Sequence, residues 1–234
     1  NAVEPLAPSA KVTEAGEIRH EHLHRYAWCR ALARGKTVLD IACGEGYGSA
    51  MLAQTAASVI GIDISDEAVA HAAHTYAGIA NLSYRQGDAA VIPLPDDAVD
   101  MVVSFETIEH HDRHQEMIDE IRRVLRPGGV LVLSSPNRPV YSDKAGHHNE
   151  FHVKELDFQE LDDLLRTRFP KVRYYGQRLA VGSALAPMAI EDTGADMQAF
   201  TDTGDEVLER SVRLIDPVYF VAVATDGQTE LPKL

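Results

Sequence analysis

Val38-Leu39-Asp40-Ile41-Ala42-Cys43-Gly44-Glu45-Gly46-Tyr47-Gly48 reads as a buried strand that ends in a glycine-rich turn and opens a helix. A second apolar run closes on an acid, Asp63, nineteen residues after Gly44. Strand, glycine turn, helix, strand and acid form the layout of a nucleotide-handling site. Two departures narrow the ligand. Ser49 stands where the dinucleotide pattern G-x-G-x-x-G has its third glycine. Asp40 lies inside the strand, where its carboxylate would repel a pyrophosphate and attract a cation. The turn therefore expects a nucleoside ligand with positive charge and no phosphate.

Outward from this turn, strands and helices alternate. Thr37–Ala42, Ser58–Asp63, Leu82–Gln86, Ala98–Ser104 and Val130–Ser134 have strand character, and 98–104 is apolar almost throughout, as in a strand covered on both faces. Tyr47–Ala56, Asp66–Tyr76 and Gln115–Leu125 have helical spacing, the last stopped by Arg126-Pro127-Gly128-Gly129. Glu17–Ala33 predicts a leading helix after a flexible lead-in at residues 1–16. Glu155–Arg166 predicts a late helix, and Lys171–Tyr175 and Val218–Ala224 predict late strands. The βαβ rhythm implies an α/β, Rossmann-like, doubly wound and mostly parallel sheet that binds ligands at the carboxyl ends of its strands. Residues 180–214, rich in Gly, Ala, Asp and Thr, carry little strand signal and read as a late insertion or lid within one domain spanning 17–234.

A chain of 234 residues with 45% hydrophobic content can bury one large core. A formal net charge of −14 disfavours nucleic acid as a partner. Cys29 and Cys43 are the only cysteines, and Cys43 sits inside the turn, which suits a reducing compartment. No membrane-spanning run and no signal-peptide pattern is visible, so the expected location is the cytoplasm.

The cofactor positions follow from the strand ends. Gly44 and Gly46 permit a sharp bend and close ligand approach, and the amides of the following helix can meet a carboxylate. Asp63 is placed to accept from both hydroxyls of a ribose. In Gly87-Asp88-Ala89, Asp88 can accept from an exocyclic amine while the Ala89 amide donates to the ring.

The segments VLDIACGEGYGSAMLA (38–53), VIGIDIS (59–65), GDAAVIPLPDDAVDMVVSFETIEHH (87–111) and RRVLRPGGVLVLSSPN (122–137) resemble the successive motifs of class I S-adenosylmethionine-dependent methyltransferases. The resemblance covers about residues 37–137. It implies a seven-stranded sheet with one antiparallel strand, for which Val218–Ala224 is the candidate. It implies that Asp40, Ala42 and Gly44 line the methionine moiety, that Asp63 binds ribose and that Asp88 and Ala89 bind adenine, with Cys43, Gly46, Ile64 and Phe105 completing the cofactor contacts. His22-Leu23-His24-Arg25-Tyr26 and Asn149-Glu150-Phe151-His152-Val153-Lys154-Glu155 resemble bacterial methyltransferases of surface-polysaccharide (O-antigen) biosynthesis. In that resemblance Arg25 and Tyr26 close over the cofactor's carboxylate end.

The fourth strand ends in Ser104-Phe105-Glu106-Thr107-Ile108-Glu109-His110-His111. In this superfamily that end faces the transferred methyl group. His110 is the candidate base, with Glu106 beside it, because an imidazole titrates near the operating pH. If a helix starts at Glu106, then Glu106, Glu109 and His110 share one face and can hold a divalent cation such as Mg2+, with His152 or His148 completing the shell. This E-x-x-E-H pattern resembles the metal site of small-RNA 2′-O-methyltransferases and ubiquinone-pathway O-methyltransferases. Alternatively the two acids favour a helix N-terminus and His110 acts alone.

The leading expectation is O-methylation of a sugar or glycan hydroxyl, with a phenolic or amino metabolite as the alternative acceptor. A cofactor-binding domain without catalysis is a third reading, and a homodimer is left open. Asp40 and the absent third glycine oppose an NAD-dependent dehydrogenase.

Overall fold

The computed structural model describes residues 14–144, 146, 149–179, 182–185, 198–202, 207–208, 216–227 and 230–231. Seven strands form one sheet in the order β3-β2-β1-β4-β5-β10-β6. These are β1 (Thr37–Ile41), β2 (Ser58–Asp63), β3 (Leu82–Gln86), β4 (Val99–Phe105), β5 (Leu125–Pro136), β6 (Lys171–Gln177) and β10 (Tyr219–Thr225). β1 runs parallel to β2 and β4, and β4 to β5, whereas β10 is antiparallel to both neighbours, β5 and β6. The expected seven-stranded sheet with Val218–Ala224 as its reversed strand is what the chain forms. Strand order reverses between β1 and β4, and a crevice for ligands opens there.

The helices are α1 (Glu14–Leu32), α2 (Tyr47–Ala53), α3 (Asp66–Thr75), α4 (His114–Val124) and α5 (Phe158–Arg166). Side chains of β1 alternate between two apolar layers. Leu39 and Ile41 join Val102, Leu131 and Leu133 beneath Met117, Ile118 and Ile121 of α4 and Leu161 and Leu165 of α5. Val38, with Met101, Val103, Val132 and Val223, packs on the other face with Tyr26 and Cys29 of α1 and Leu52 of α2. Helices cover both faces, so the central strands read as unbroken apolar runs.

Several boundaries differ from the sequence reading; α2, for example, ends at Ala53 and not at Ala56, and β6 runs on to Gln177. α1 already includes Glu14–Gly16, while residues 1–13 of the expected lead-in lie outside the described residues. α4 ends at Val124, one residue before the expected Leu125. Leu125 is extended and pairs with Val99, and the register with β4 shifts between Val99 and Met101. Arg126–Gly129 is therefore a bulged part of β5. α5 starts at Phe158 because Asp157 and Glu160 form a capping box, each side chain bonding the other's backbone N–H.

In the expected insertion, β7 (Gly182–Leu185), β8 (Gln198–Asp202) and β9 (Val207–Leu208) make a separate antiparallel sheet. These strands are short and lack an alternating apolar pattern, so composition gave no warning of them. The remaining positions of 180–214, and with them the expectation of a lid, lie outside the described residues. Among the described residues, no helix is long and apolar enough to cross a membrane.

Candidate active site

The chain leaves β1 through a turn of left-handed residues: Ala42 at φ 55°, Gly44 at φ 51° and Gly46 at φ 83°. Gly46 is required twice over. Its φ disfavours a side chain, and a Cβ there would lie 2.5 Å from the Tyr84 hydroxyl, which donates to the Gly46 carbonyl. Asp63 reaches back across the turn. One carboxylate oxygen accepts from the Gly44 N–H at 2.9 Å and the other from the Ser65 N–H at 2.9 Å. Each oxygen keeps a second lone pair for a ligand hydroxyl. Ile64 beside it is 70% exposed, an apolar surface at the strand mouth. Cys43 is buried, and burial pushes its thiol well up, so it packs as a small apolar group.

Asp40 is sealed. It is 0% exposed and accepts hydrogen bonds from the hydroxyls of Ser49 (2.6 Å) and Tyr26 (3.1 Å). Burial raises its carboxyl to about 7, opposed by those two hydroxyls. Ser49, the residue that broke the dinucleotide pattern, is thus a partner of Asp40. The neighbouring Gly48 carries the steric demand, since a Cβ there would come within 2.0 Å of the Tyr26 ring. Tyr26 stands edge-on to Tyr47 and Phe105, with centroids 5.7 and 5.0 Å away, so α1 lies directly over the turn. Expectation had Tyr26 meeting a cofactor carboxylate; its hydroxyl meets Asp40.

Asp88 follows β3. Its Oδ1 accepts from the Ala90 N–H at 2.8 Å, and its Oδ2 is paired with Arg113 at 3.0 Å. Ala89 packs partly buried against the core.

The end of β4 holds the second group of residues. Glu106 has φ 50°, and only a three-residue 3-10 helix, Ile108–His110, follows it. The expected helix face joining Glu106, Glu109 and His110 therefore does not form. Glu106 turns instead to Ser134 on β5, whose hydroxyl donates to its carboxylate at 2.6 Å, and to Arg25, 3.5 Å away. Arg25 is buried between the rings of Phe105 and Tyr219, at 5.6 and 5.0 Å, and donates to Gln177 at 2.9 Å. It faces β10 and β6 from α1, while Tyr26 faces the glycine turn.

Glu109, His110 and His152 converge, with one ligand atom from each lying within 4.8 Å of the others. Glu109 is fully buried, and neither carboxylate oxygen has a hydrogen-bond partner among the described residues. Burial and then the charge of Glu106 hold its carboxyl well above the usual range. The His110 Nδ1 lies 2.9 Å from the Phe151 carbonyl and the His152 Nδ1 2.6 Å from the Glu155 carboxylate. A carbonyl or carboxylate only accepts, so both rings donate from Nδ1, and Nε2 is the nitrogen that carries the lone pair in the neutral ring. Asn149 Nδ2 donates to that of His152 at 3.1 Å. Tyr141 stacks on the His152 ring at 5.5 Å. His147 and His148 lie outside the described residues.

Sequence reasoning missed Ser134, Gln177 and Tyr219, and it named Glu155 only as the end of the Asn149–Glu155 run, with no role. Only the polar end of the buried fifth strand, Ser134-Ser135, signalled any of them in advance.

A methyltransferase-domain family matches residues 39–133. A protein of Mycolicibacterium smegmatis named "Probable S-adenosylmethionine-dependent methyltransferase" is 41% identical over 150 residues, covering 64% of this chain and 56% of that protein. Residues 39–133 thus match a methyltransferase-domain model, and the relative just named carries S-adenosylmethionine dependence in its name. A fatty-acid O-methyltransferase of the same organism is 33% identical over 134 residues, covering 56% of this chain and 48% of that protein. The chain thus spans about half the length of the curated relatives it matches. N-methyltransferase NodS from Bradyrhizobium japonicum, solved with S-adenosylhomocysteine, shares the fold of this chain. Its TM-score is 0.59 at 17% identity, covering 90% of this chain and 87% of that chain.

Proposed function

We propose that this protein transfers a methyl group from S-adenosylmethionine to a hydroxyl of a sugar or glycan acceptor, with His110 as the base. The observation that carries the chemistry is His110 itself. Its ring is exposed at the end of β4, with Nδ1 committed to the Phe151 carbonyl and Nε2 left as a lone pair. Methyl transfer breaks the sulfonium S–CH3 bond and forms O–CH3, while the acceptor proton passes to that nitrogen and S-adenosylhomocysteine leaves neutral at sulfur. In this reading Asp63 holds the ribose, Asp88 and Ala89 the adenine, and the turn at Ala42–Gly46 the methionine moiety. Ile64 and Phe105 supply apolar walls. Asp40 acts on the sulfonium side through the Tyr26–Ser49 layer. Arg25 braces Glu106 toward the acceptor.

A divalent cation fits Glu109, His110 and His152. Two Nε2 lone pairs, one of which a cation would take from Asn149, and an unpartnered buried carboxylate form a donor set. Glu155 behind His152 and the Phe151 carbonyl behind His110 are the outer bonds that orient such ligands. Bound there, the ion would take the His110 lone pair and itself acidify an acceptor hydroxyl, whose proton would leave to solvent, so the metal replaces His110 as base and is not added to it. Glu106 bonds Ser134 instead and is left out of the set.

The acceptor class rests on the likeness of the His22–Tyr26 and Asn149–Glu155 segments to polysaccharide-associated methyltransferases. A small phenolic or amino acceptor is the second reading, favoured by Tyr141 and the 71% exposed Phe151 beside His152. A labelled-cofactor screen of nucleotide sugars, glycans and phenols, with and without a chelator, separates these readings. Labelled glycans are expected; turnover that survives a chelator keeps His110 as the base, and chelator-sensitive turnover that a divalent ion restores gives its nitrogen to the ion. Labelling of phenols alone overturns the glycan reading, and full activity in chelator removes the metal.

A further inference from the structure

Resting on the S-adenosylmethionine reading above, we infer that Arg113 is the positioning residue that fixes the adenine-binding acid and sets the preference for adenine over other bases. Asp88 is 42% exposed at its side chain, and an unbraced carboxylate at such a strand mouth turns easily about its terminal torsion. Here it is held from both sides. The Ala90 N–H donates to Oδ1 at 2.8 Å, and the Arg113 Nη1 donates to Oδ2 at 3.0 Å while Nη2 reaches the Ala90 carbonyl at 3.4 Å. Each carboxylate oxygen retains a free lone pair. The Ala89 N–H between them donates to nothing among the described residues. The edge so formed offers one acceptor beside one donor. Adenine matches it with an exocyclic amine beside an unprotonated ring nitrogen. Hypoxanthine, with a carbonyl beside a ring N–H, reverses both.

Arg113 is itself anchored. Its backbone N–H donates to the His111 Nδ1 at 3.1 Å, which makes that nitrogen the acceptor. The His111 Nε2 contacts the Met117 sulfur at 3.2 Å, and the His114 Nε2 donates to the His111 carbonyl at 2.7 Å. Met117 and His114 are buried on α4. The guanidinium thus arrives on a braced loop that begins immediately after His110. An exposed ion pair of this kind contributes little to stability; its role is geometric.

The test is calorimetric titration of the wild type, Arg113→Gln and Arg113→Lys with S-adenosylhomocysteine and S-inosylhomocysteine, with thermal melts alongside. In Arg113→Gln, affinity for the adenine compound is expected to fall about fivefold, the scale of one exposed charge pair. Affinity for the inosine compound should change little, so discrimination narrows. Arg113→Lys should recover part of the loss, and all three melts should coincide. Unchanged discrimination in Arg113→Gln, with the wild type binding normally, overturns this inference alone. A wild type that binds neither compound overturns the cofactor reading and this inference with it.

Discussion

The two halves of the crevice are built from contacts of different reach. Around the glycine turn most bonds are close in sequence: Ser49 to Asp40 spans 9 positions, Tyr26 to Asp40 spans 14, and Gly44 to Asp63 spans 19, with Tyr84 to Gly46, at 38, the exception. At the acceptor end they are remote: Ser134 to Glu106 spans 28 positions, His110 to Phe151 spans 41, and Arg25 to Gln177 spans 152. A site made from one βαβ unit can be read as a motif. A site made by bringing three distant segments to one sheet edge cannot. The halves meet at α1, where Tyr26 serves the first and Arg25 the second.

If the halves are separable, damage at the acceptor end should spare cofactor binding. His110→Ala is expected to lower kcat by about 10²–10⁴-fold, the usual worth of a general base. S-Adenosylhomocysteine affinity by calorimetry should be unchanged. A parallel loss of binding would mean that the two halves are one unit.

Asp40→Asn probes the other half. Burial raises Asp40 from 3.8 to about 7, so the folded protein holds a proton that the unfolded chain releases between those values. The stability linked to this group is intact below about pH 4 and is lost as the pH rises through 7. Denaturant melts should show Asp40→Asn more stable than the wild type at pH 8, by up to about 4 kcal/mol at 1.36 kcal/mol per pKa unit. The gap should close by about pH 4. Cofactor affinity should fall in the same variant. An equal gap at both pH values would break the assignment to ionisation.

A smaller effect tests the junction. Gly48→Ala places a methyl against the Tyr26 ring and is expected to cost about 2 kcal/mol by overpacking. Tyr26→Ala in the same chain should remove most of that cost, read as a coupling energy in a double-mutant cycle. Additive losses would show that Tyr26 is not what requires the glycine.

Legibility follows the same divide. Val38–Gly48, Asp63 and Asp88 were readable because a strand end, a left-handed turn and an acid recur at fixed local spacing. Glu106 misled because E-x-x-E-H has the spacing of a helix face. Its left-handed backbone and bond to Ser134 depend on β5 lying beside β4, which no local pattern encodes. The α4 boundary slipped for a related reason. Pro-Gly-Gly signals a stop, but pairing with Val99 draws Leu125 into the sheet and ends the helix one residue early.

The sequence alone determined the order of the main-sheet strands and helices and the glycine turn, and it set the expectation of a cationic nucleoside ligand, because period and turn chemistry act over a few residues. Tertiary structure alone decided that Ser49 and Tyr26 seal Asp40, that Arg113 braces Asp88, and that Glu109 joins His110 and His152 without Glu106. Those outcomes depend on which side chains the folded sheet brings within hydrogen-bonding distance, and spacing along the chain does not record that distance.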